Sequence, residues 1–252
     1  MALRAGKRLV RMTHGSLSPI YLERQSKWKK RLVTPLERHY FAKCDRIVVT
    51  GGWEEEWCRA WGLEGPFETV DLKGFFDFSR VDGLTQRRGG AEYAEDDGKL
   101  PSADGGLHLL YLGRRHPLKG VVYLEKAVAE LNSNPVNPVN PVQNSSARLT
   151  SSALSASPRL CVRFVSNAFG EELEKVWDWC DVLVLPTLSE NFGLVAAEAL
   201  ERGKRVITTD GAPAWGDGNT YGGRLVYLNG YRDGTSDERI SLLKTAIENI
   251  AK

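Results

Sequence analysis

The chain of 252 residues contains no run of eighteen apolar residues, which argues against a membrane-spanning helix. Its first residues, MALRAGKRLVRMT, lack the apolar core of a signal peptide. Cysteine is scarce, with four residues scattered without the spacing of a metal site: Cys44, Cys58, Cys161 and Cys180. We therefore expect buried, reduced thiols and no bound metal in a cytoplasmic protein.

Charge of neither sign dominates the chain, but its distribution is uneven. Residues 1–46 contain twelve Lys or Arg and three Asp or Glu, a net charge of +9, whereas the whole chain carries +2. Aromatic side chains interleave with this charge, as in the segment KWKKR that begins at Lys27. Such a segment suits acidic lipid head groups, a phosphorylated acceptor or nucleic acid, and it is also typical of a solvated helix face. Nucleic acid is the weakest candidate, because no binding motif accompanies the charge.

Strand and helix signals alternate along the chain, which predicts an α/β fold with parallel sheets. The predicted strands cover residues 7–12, 44–50, 67–72, 107–112, 159–165, 181–185, 204–208 and 224–228. The predicted helices begin near residue 19 and cover residues 28–42, 53–61, 121–131, 170–179, 193–202 and 237–251.

Composition divides the chain into two predicted domains, residues 1–80 and 107–252. Residues 81–106 between them are rich in Gly, Asp and Arg and have little periodicity, which is typical of a linker. Within the second domain, Asn-Pro-Val occurs three times in succession, and prolines at this spacing exclude both a helix and a central strand. We therefore predict a disordered insertion over residues 132–157.

Two carboxylates stand out in the segment DVLVLPTLSENFGLVAAEALERGKRVITTDGAP, residues 181–213. Its predicted order is a buried strand, a loop with Glu190, a helix with Glu198 near its start, and a second strand. Ligands of open α/β sheets bind beyond the carboxyl ends of the strands, where this loop lies. Upstream, Arg114 and Lys119 lie five residues apart on a predicted turn between a strand and a helix, so both can face one anion.

This segment and LYLGRRHPLKGVVYLEKAV together resemble the donor-binding domain of family 4 glycosyltransferases. These are retaining enzymes of the GT-B fold, in which two Rossmann-like domains face each other across a cleft. His14-Gly15 and CDRIVVT…WGL…VDLKGFFD are similar to the last units of the family's acceptor domain. The resemblance covers about residues 7–80 and 107–230. Within the family, the sequence most resembles bacterial enzymes that build lipopolysaccharide or other surface polysaccharide. It implies a nearly complete donor-binding domain preceded by a partial acceptor domain.

The resemblance also implies a role for each site residue. Arg114 and Lys119 would clamp the donor diphosphate, Glu190 would bind sugar hydroxyls and Glu198 would bind the ribose diol. His14 would face the donor sugar across the cleft. The implied catalytic set is His14, Arg114, Lys119 and Glu190, and the donor-binding set is Gly113, Arg114, Lys119, Glu190, Asn191, Phe192, Gly193, Leu194 and Glu198. Without the resemblance, Arg114, Lys119 and Glu198 would be interpreted as ordinary exposed charges. Glu190 would be interpreted as a helix cap and His14 as a structural histidine.

The implied substrates are a UDP- or GDP-linked sugar and a glycan or lipid-linked acceptor, with no cofactor and no metal. The acceptor would attack on the face that the diphosphate leaves. A peripheral position on the inner face of the cell membrane would follow from the basic residues 1–46. No nucleic-acid partner is expected.

The sequence departs from the family pattern in three places. The His-Gly strand comes first instead of after several strand–helix units, the Asn-Pro-Val insertion stands where a strand is expected, and a long final helix is missing. We therefore expect a truncated enzyme, and an inactive nucleotide-sugar-binding remnant is the alternative. A nucleotide-sugar epimerase is more remote, and a dehydrogenase is disfavoured because no Gly-x-Gly-x-x-Gly follows a strand.

Overall fold

The computed structural model describes residues 8–23, 25–78, 106–133 and 159–251. The strands of these segments are β1 (Val10–Met12), β2 (Arg46–Val49), β3 (Phe67–Thr69), β4 (Gly106–Leu112), β5 (Arg159–Val165), β6 (Val182–Val184), β7 (Arg205–Thr209) and β8 (Leu225–Leu228). The helices are α1 (Pro19–Glu23), α2 (Lys27–Phe41), α3 (Gly52–Ala60), α4 (Val121–Ser133), α5 (Glu171–Trp179), α6 (Leu194–Glu201) and α7 (Ser236–Ile250).

The larger sheet has five parallel strands in the order β5-β4-β6-β7-β8. Apolar side chains leave it on both faces: Leu109 and Tyr111 of β4 pack with α4 and α7, whereas Leu110 packs with α5 and α6. This alternation follows from the two-residue period of a strand. Helices on both faces of a parallel sheet make this part Rossmann-like, as predicted.

The strand β5 corrects one expectation about the insertion. The family pattern predicts that the Asn-Pro-Val segment stands in place of the strand that follows α4. Instead, β5 pairs with β4 over seven positions, from Gly106–Arg159 to Leu112–Val165. The insertion therefore interrupts a strand–helix–strand unit between α4 and β5 without replacing its second strand, because two parallel strands tolerate a long connection.

The smaller sheet has three parallel strands in the order β1-β2-β3. Its core joins Ile47 and Val49 of β2 to Phe41 of α2 and to Cys58 of α3. Strand β3 is shorter than the predicted 67–72, because the Asp71 carboxylate accepts a hydrogen bond from Lys73 N at 2.9 Å and turns the chain after one more ladder bond.

The segment after β3 anchors the two sheets to each other. Phe76 stacks on Phe192 with ring centres 6.3 Å apart, and Phe78 lies edge-on to Tyr221 at 5.0 Å. Lys73 forms a 2.7 Å ion pair with Asp217. Aromatic contacts of this kind add to the burial of apolar area, so the carboxyl ends of the small sheet are held close to the loops of the large one.

The remaining predictions concern boundaries and thiols. The predicted linker and insertion lie outside the described residues, apart from Gly106, which begins β4, and the last two residues of α4, Asn132 and Ser133. None of the four cysteines forms a disulfide, but Cys161 is only partly buried, contrary to expectation. None of the described helices is long and apolar enough to cross a bilayer.

Candidate functional site

Residues 186–193, in the loop between β6 and α6, are held by the turn that follows β4. The carbonyl of Leu118 accepts hydrogen bonds from Leu188 N at 2.8 Å and from the Thr187 hydroxyl at 3.1 Å. Gly120 ends this turn with φ +63°, and a Cβ there would lie 1.9 Å from the Pro186 carbonyl oxygen. Only glycine allows this approach. We call residues 186–193 the donor loop, after the donor-binding role that the family resemblance implies.

The donor loop and the turn contribute the two halves of an ion pair, Lys119 Nζ with Glu190 Oε2. These residues are 71 positions apart in sequence, and the pairing of β4 with β6 brings them together. Both side chains are largely buried, with 23% and 20% exposed. The Glu190 backbone N–H donates to the Gly211 carbonyl at 2.8 Å. The position of the Glu190 carboxylate is therefore fixed both by the backbone hydrogen bond to Gly211 and by the ion pair with Lys119.

The start of α6 is open to an anion. Gly193 precedes the helix with φ +77°, and no side chain caps the first turn, so Glu190 is not the helix cap of the alternative interpretation. The N–H groups of a first helical turn have no partner within the helix and carry partial positive charge. The carbonyl of Phe192 instead accepts a 2.6 Å hydrogen bond from the Trp215 indole, and the Leu194 side chain is exposed.

Glu198 lies on α6 and is partly buried, whereas the alternative interpretation made it an ordinary exposed residue. Desolvation raises the pKa of its carboxyl, and the nearby Arg202 opposes that shift. Its carboxylate makes no hydrogen bond within the part of the chain that the structure describes. A partly desolvated carboxylate without a donor is costly, and a ligand hydroxyl would satisfy it.

Gly113 and Arg114 follow β4 at the same end of the sheet. Gly113 has φ +152°, and a Cβ there would lie 3.3 Å from the Tyr111 hydroxyl. That hydroxyl donates to the Arg114 carbonyl at 2.8 Å, and burial raises the pKa of Tyr111 to about 12. The Arg114 side chain is exposed, and within the described ranges it forms no ion pair, unlike Lys119.

His14 lies in the turn that follows β1, on the smaller sheet. It is exposed and has φ +49°, a conformation uncommon outside glycine. A Cβ on the neighbouring Gly15 would lie 3.0 Å from Cβ of Asn191, in the donor loop. The Thr50 hydroxyl, at the end of β2, is also 3.0 Å from Asn191 Oδ1. The turn of His14 thus lies against the donor loop.

Three contact residues of this arrangement were not predicted from the sequence: Thr50, Glu54 and Ser18. The Ser18 hydroxyl lies 3.0 Å from that of Ser189. Glu54 belongs to the acidic first turn of α3, where exposure is expected, yet it is fully buried. Its position four residues before Cys58 and seven before Trp61, both apolar, places it on the buried face of α3 and could have revealed it.

The residues that the structure describes contain no cluster of His, Cys, Asp or Glu that could hold a metal ion. The polar groups at the carboxyl ends of the strands are a partly buried Lys–Glu pair, a carboxylate without a hydrogen bond in the described residues, an exposed arginine and an open helix start. Together these groups suit a ligand with both a phosphate and hydroxyl groups.

Comparison with solved structures identifies the fold class. Sucrose-phosphate synthase from Thermosynechococcus elongatus superposes with a TM-score of 0.59 at 18% identity, covering 99% of this chain and 61% of that one. Anabaena HepE, solved in complex with UDP and glucose, superposes with a TM-score of 0.56 at 16% identity, covering 99% and 65%. The fold is that of the GT-B glycosyltransferases, with Rossmann-like parallel sheets.

Sequence comparison identifies the family. Residues 92–217, half of the chain, match the family described as glycosyl transferases group 1, and the chain belongs to it. A D-inositol 3-phosphate glycosyltransferase of Streptomyces coelicolor is 33% identical over 209 residues, covering 76% of this chain and 41% of the relative. One of Corynebacterium jeikeium is 35% identical over 124 residues, covering 44% and 30%. The chain thus spans less than half the length of either relative.

Proposed function

We propose that this chain binds a nucleotide-diphosphate sugar and transfers the sugar, with retention, to an acceptor hydroxyl, as a family 4 glycosyltransferase. The observation that carries the proposal is the partly buried Lys119–Glu190 pair beside the open start of α6. A diphosphate would meet Lys119 and the first N–H groups of α6, and these would stabilise the charge that grows on it as it leaves. Arg114 is exposed at the same end of the sheet and would close over the diphosphate.

The carboxylates would orient the rest of the donor. Glu190 would accept hydrogen bonds from sugar hydroxyls, and Glu198 would accept from the ribose diol. In the transfer, the bond from the sugar C1 to the phosphate oxygen breaks and a bond from C1 to the acceptor oxygen forms on the same face. The acceptor proton passes to the leaving phosphate. His14 would line the acceptor side of the sugar, with no cofactor and no metal in these steps.

Two acceptor classes have support. The sequence style favours a glycan or lipid-linked acceptor in lipopolysaccharide or surface-polysaccharide synthesis. The names of the two relatives favour a phosphorylated polyol, D-inositol 3-phosphate. The donor nucleotide is UDP or GDP, and the HepE complex with UDP and glucose supports UDP. An inactive remnant that binds the donor without turnover is the second candidate function, because the small sheet has only three strands among the described residues.

Titration with UDP and GDP, followed by an assay of donor hydrolysis and transfer, tests the proposal. The wild type should bind one of the two nucleotides, and Glu198→Gln should bind it roughly tenfold more weakly for the loss of one charge-assisted hydrogen bond. Binding of neither nucleotide by the wild type would contradict the proposal, and binding without turnover would identify the remnant.

The same Glu198→Gln variant carries its own folding control. Because burial raises the pKa of Glu198, the native state holds the proton more tightly than the unfolded chain does. Stability therefore falls as pH rises from the ordinary glutamate pKa through the raised pKa of the folded state. Glu198→Gln should therefore be more stable than the wild type at pH 7, and the difference should vanish below the ordinary glutamate pKa of 4.5. A variant that is both more stable and weaker in binding has lost a ligand contact.

For the membrane partner, we propose that α2 rests on an anionic lipid surface. Four large apolar side chains of α2 are spaced four residues apart and exposed: Trp28 by 64%, Leu32 by 63%, Leu36 by 59% and Tyr40 by 53%. Four-residue spacing places them along one face of the helix. Exposed basic side chains lie on the same helix or just after it, namely Lys27, Arg31, Arg38 and Lys43. An apolar stripe beside cations suits the interface of an acidic bilayer.

Vesicle sedimentation tests this partner. The wild type should bind vesicles of phosphatidylcholine with phosphatidylglycerol at low salt and be released at high salt. Burial of these two exposed apolar side chains is worth roughly 2 kcal/mol, so the double variant Trp28→Ala/Leu36→Ala should bind roughly 30-fold more weakly.

Phe169→Ala is the matched control, because this side chain is 81% exposed and belongs to the segment between β5 and α5 instead of to α2. Equal binding to pure phosphatidylcholine would contradict an electrostatic contact with the membrane. Concentration-dependent dimerisation that the double variant abolishes, without vesicle binding, would assign the stripe to a second copy of the chain instead.

A further inference from the structure

Glu54 is a fully buried carboxylate that no step of the proposed transfer uses. It accepts four hydrogen bonds, all from the ends of β1 and β2. Oε1 accepts from the Thr13 hydroxyl and from Gly15 N at 2.6 Å. Oε2 accepts from Thr50 N at 2.8 Å and from the Thr50 hydroxyl at 3.0 Å. A carboxylate has about four lone-pair positions, so every one of them is occupied.

The groups that Glu54 holds are the ones that meet the donor loop. Gly15 follows His14 in the turn, and its α-carbon lies against the Asn191 side chain. The Thr50 hydroxyl lies 3.0 Å from Asn191 Oδ1. A hydroxyl has one proton, so the network is satisfied throughout when Asn191 turns its amide nitrogen to Thr50 and Thr50 donates to Glu54. Glu54 thus joins both strand ends to the residue beside Glu190.

From this arrangement we propose that Glu54 is a positioning residue of the transfer site, which rests on the proposed function. It fixes the turn of His14 at the distance from the donor loop that the sugar requires. Glu54 touches no substrate and acts through Gly15, Thr50 and Asn191. A buried carboxylate is costly unless its hydrogen bonds are complete, and here all of its partners lie at the ends of β1 and β2, at one edge of the site.

The proposal depends on four acceptor positions, which only a carboxylate offers. In Glu54→Gln, the amide nitrogen would face donors and leave two of the four without an acceptor. The turn of His14 would then shift relative to the donor loop. Displacements on the order of 1 Å around a reacting group lower turnover by roughly 10- to 100-fold. In the proposed function the nucleotide would bind to the larger sheet, so its affinity should change little.

The experiment compares three variants in donor turnover and in nucleotide binding. Glu54→Gln and Thr50→Val should lower kcat roughly 10- to 100-fold and leave the Kd of the bound nucleotide within threefold of wild type. Thr50→Ser, which keeps the hydroxyl, should recover most of the turnover. Glu56→Gln is the matched control, because Glu56 is exposed on the same helix. Hydrogen exchange of the Gly15 amide should become faster in Glu54→Gln and stay unchanged in Glu56→Gln.

The outcomes separate this proposal from the proposed function. A wild type without turnover refutes the function itself. A wild type that turns over, with Thr50→Val and folded Glu54→Gln equally active, refutes only the positioning role. If Glu54→Gln does not fold, Thr50→Val decides. An equal loss of nucleotide affinity and turnover would also refute positioning, because it would indicate collapse of the donor side.

Discussion

Replacement of Lys119 by Met is expected to weaken nucleoside diphosphate binding on the order of 30- to 150-fold, or about 2 to 3 kcal/mol. Lys119 is the only cation among the described residues that is ion-paired with Glu190. The change removes the attraction between the ammonium group and the diphosphate. It also leaves the Glu190 carboxylate, which is 20% exposed, without its counter-charge beside an anionic ligand.

The second effect can be measured separately, because the double variant Lys119→Met/Glu190→Gln removes both charges. If repulsion from Glu190 contributes, the double variant should bind the nucleoside diphosphate more tightly than Lys119→Met alone. The coupling energy from the double-mutant cycle should be about 1 kcal/mol or more. For a nucleoside without phosphates, neither variant should lose affinity, since the ribose and base do not need this cation.

Lys126→Met is the matched control for this experiment. Lys126 is exposed on α4, the helix that begins just after the turn of Lys119, and its loss should leave the Kd unchanged. A Lys119→Met variant within threefold of wild type would contradict the placement of the diphosphate at this turn. A double variant as weak as the single one would show that Glu190 repulsion plays no part.

The larger sheet could be predicted from the sequence because its signals are local. Strands β6 and β7 are short apolar runs, the glycines at 193 and 203 flank α6, and the family resemblance covers all of these elements. The same local pattern assigns Glu190 to the loop and Glu198 to the helix, which is where both carboxylates lie in the fold. Such short-range patterns predict strands and helices well where the local sequence of each element favours the secondary structure that the element forms in the fold.

The pairing of Lys119 with Glu190 could not be predicted from the sequence. It depends on which strand lies beside β4, and strand order depends on the packing of all the helices together. The burial of Glu54 was not predicted for another reason, because a charged side chain is expected to be exposed. Only the hydrogen bonds from Thr13, Gly15 and Thr50 offset the free-energy cost of burying its carboxylate. The strand at 159–165 was predicted correctly, but it was not recognised as the strand expected after α4, because the insertion separates it from the rest of its unit.

Replacement of Gly120 by Ala is expected to lower both stability and nucleotide affinity. A Cβ at this position would lie 1.9 Å from the Pro186 carbonyl oxygen, so backbone would have to move. The positive φ adds strain for any residue with a Cβ. Together these effects should cost about 2 to 4 kcal/mol in the free energy of unfolding, measured by urea denaturation at pH 7.

Gly203→Ala measures the conformational part without the steric clash, because Gly203 has φ +70° and a Cβ there would meet nothing within 4 Å. This variant should lose only the conformational term, about 1 to 2 kcal/mol, and should bind nucleotide as the wild type does. In Gly120→Ala, the displaced donor loop would carry Glu190 away from Lys119, so affinity should fall as well. Equal losses of stability in both variants, with unchanged affinity, would show that the turn and the donor loop are not mechanically joined through Gly120.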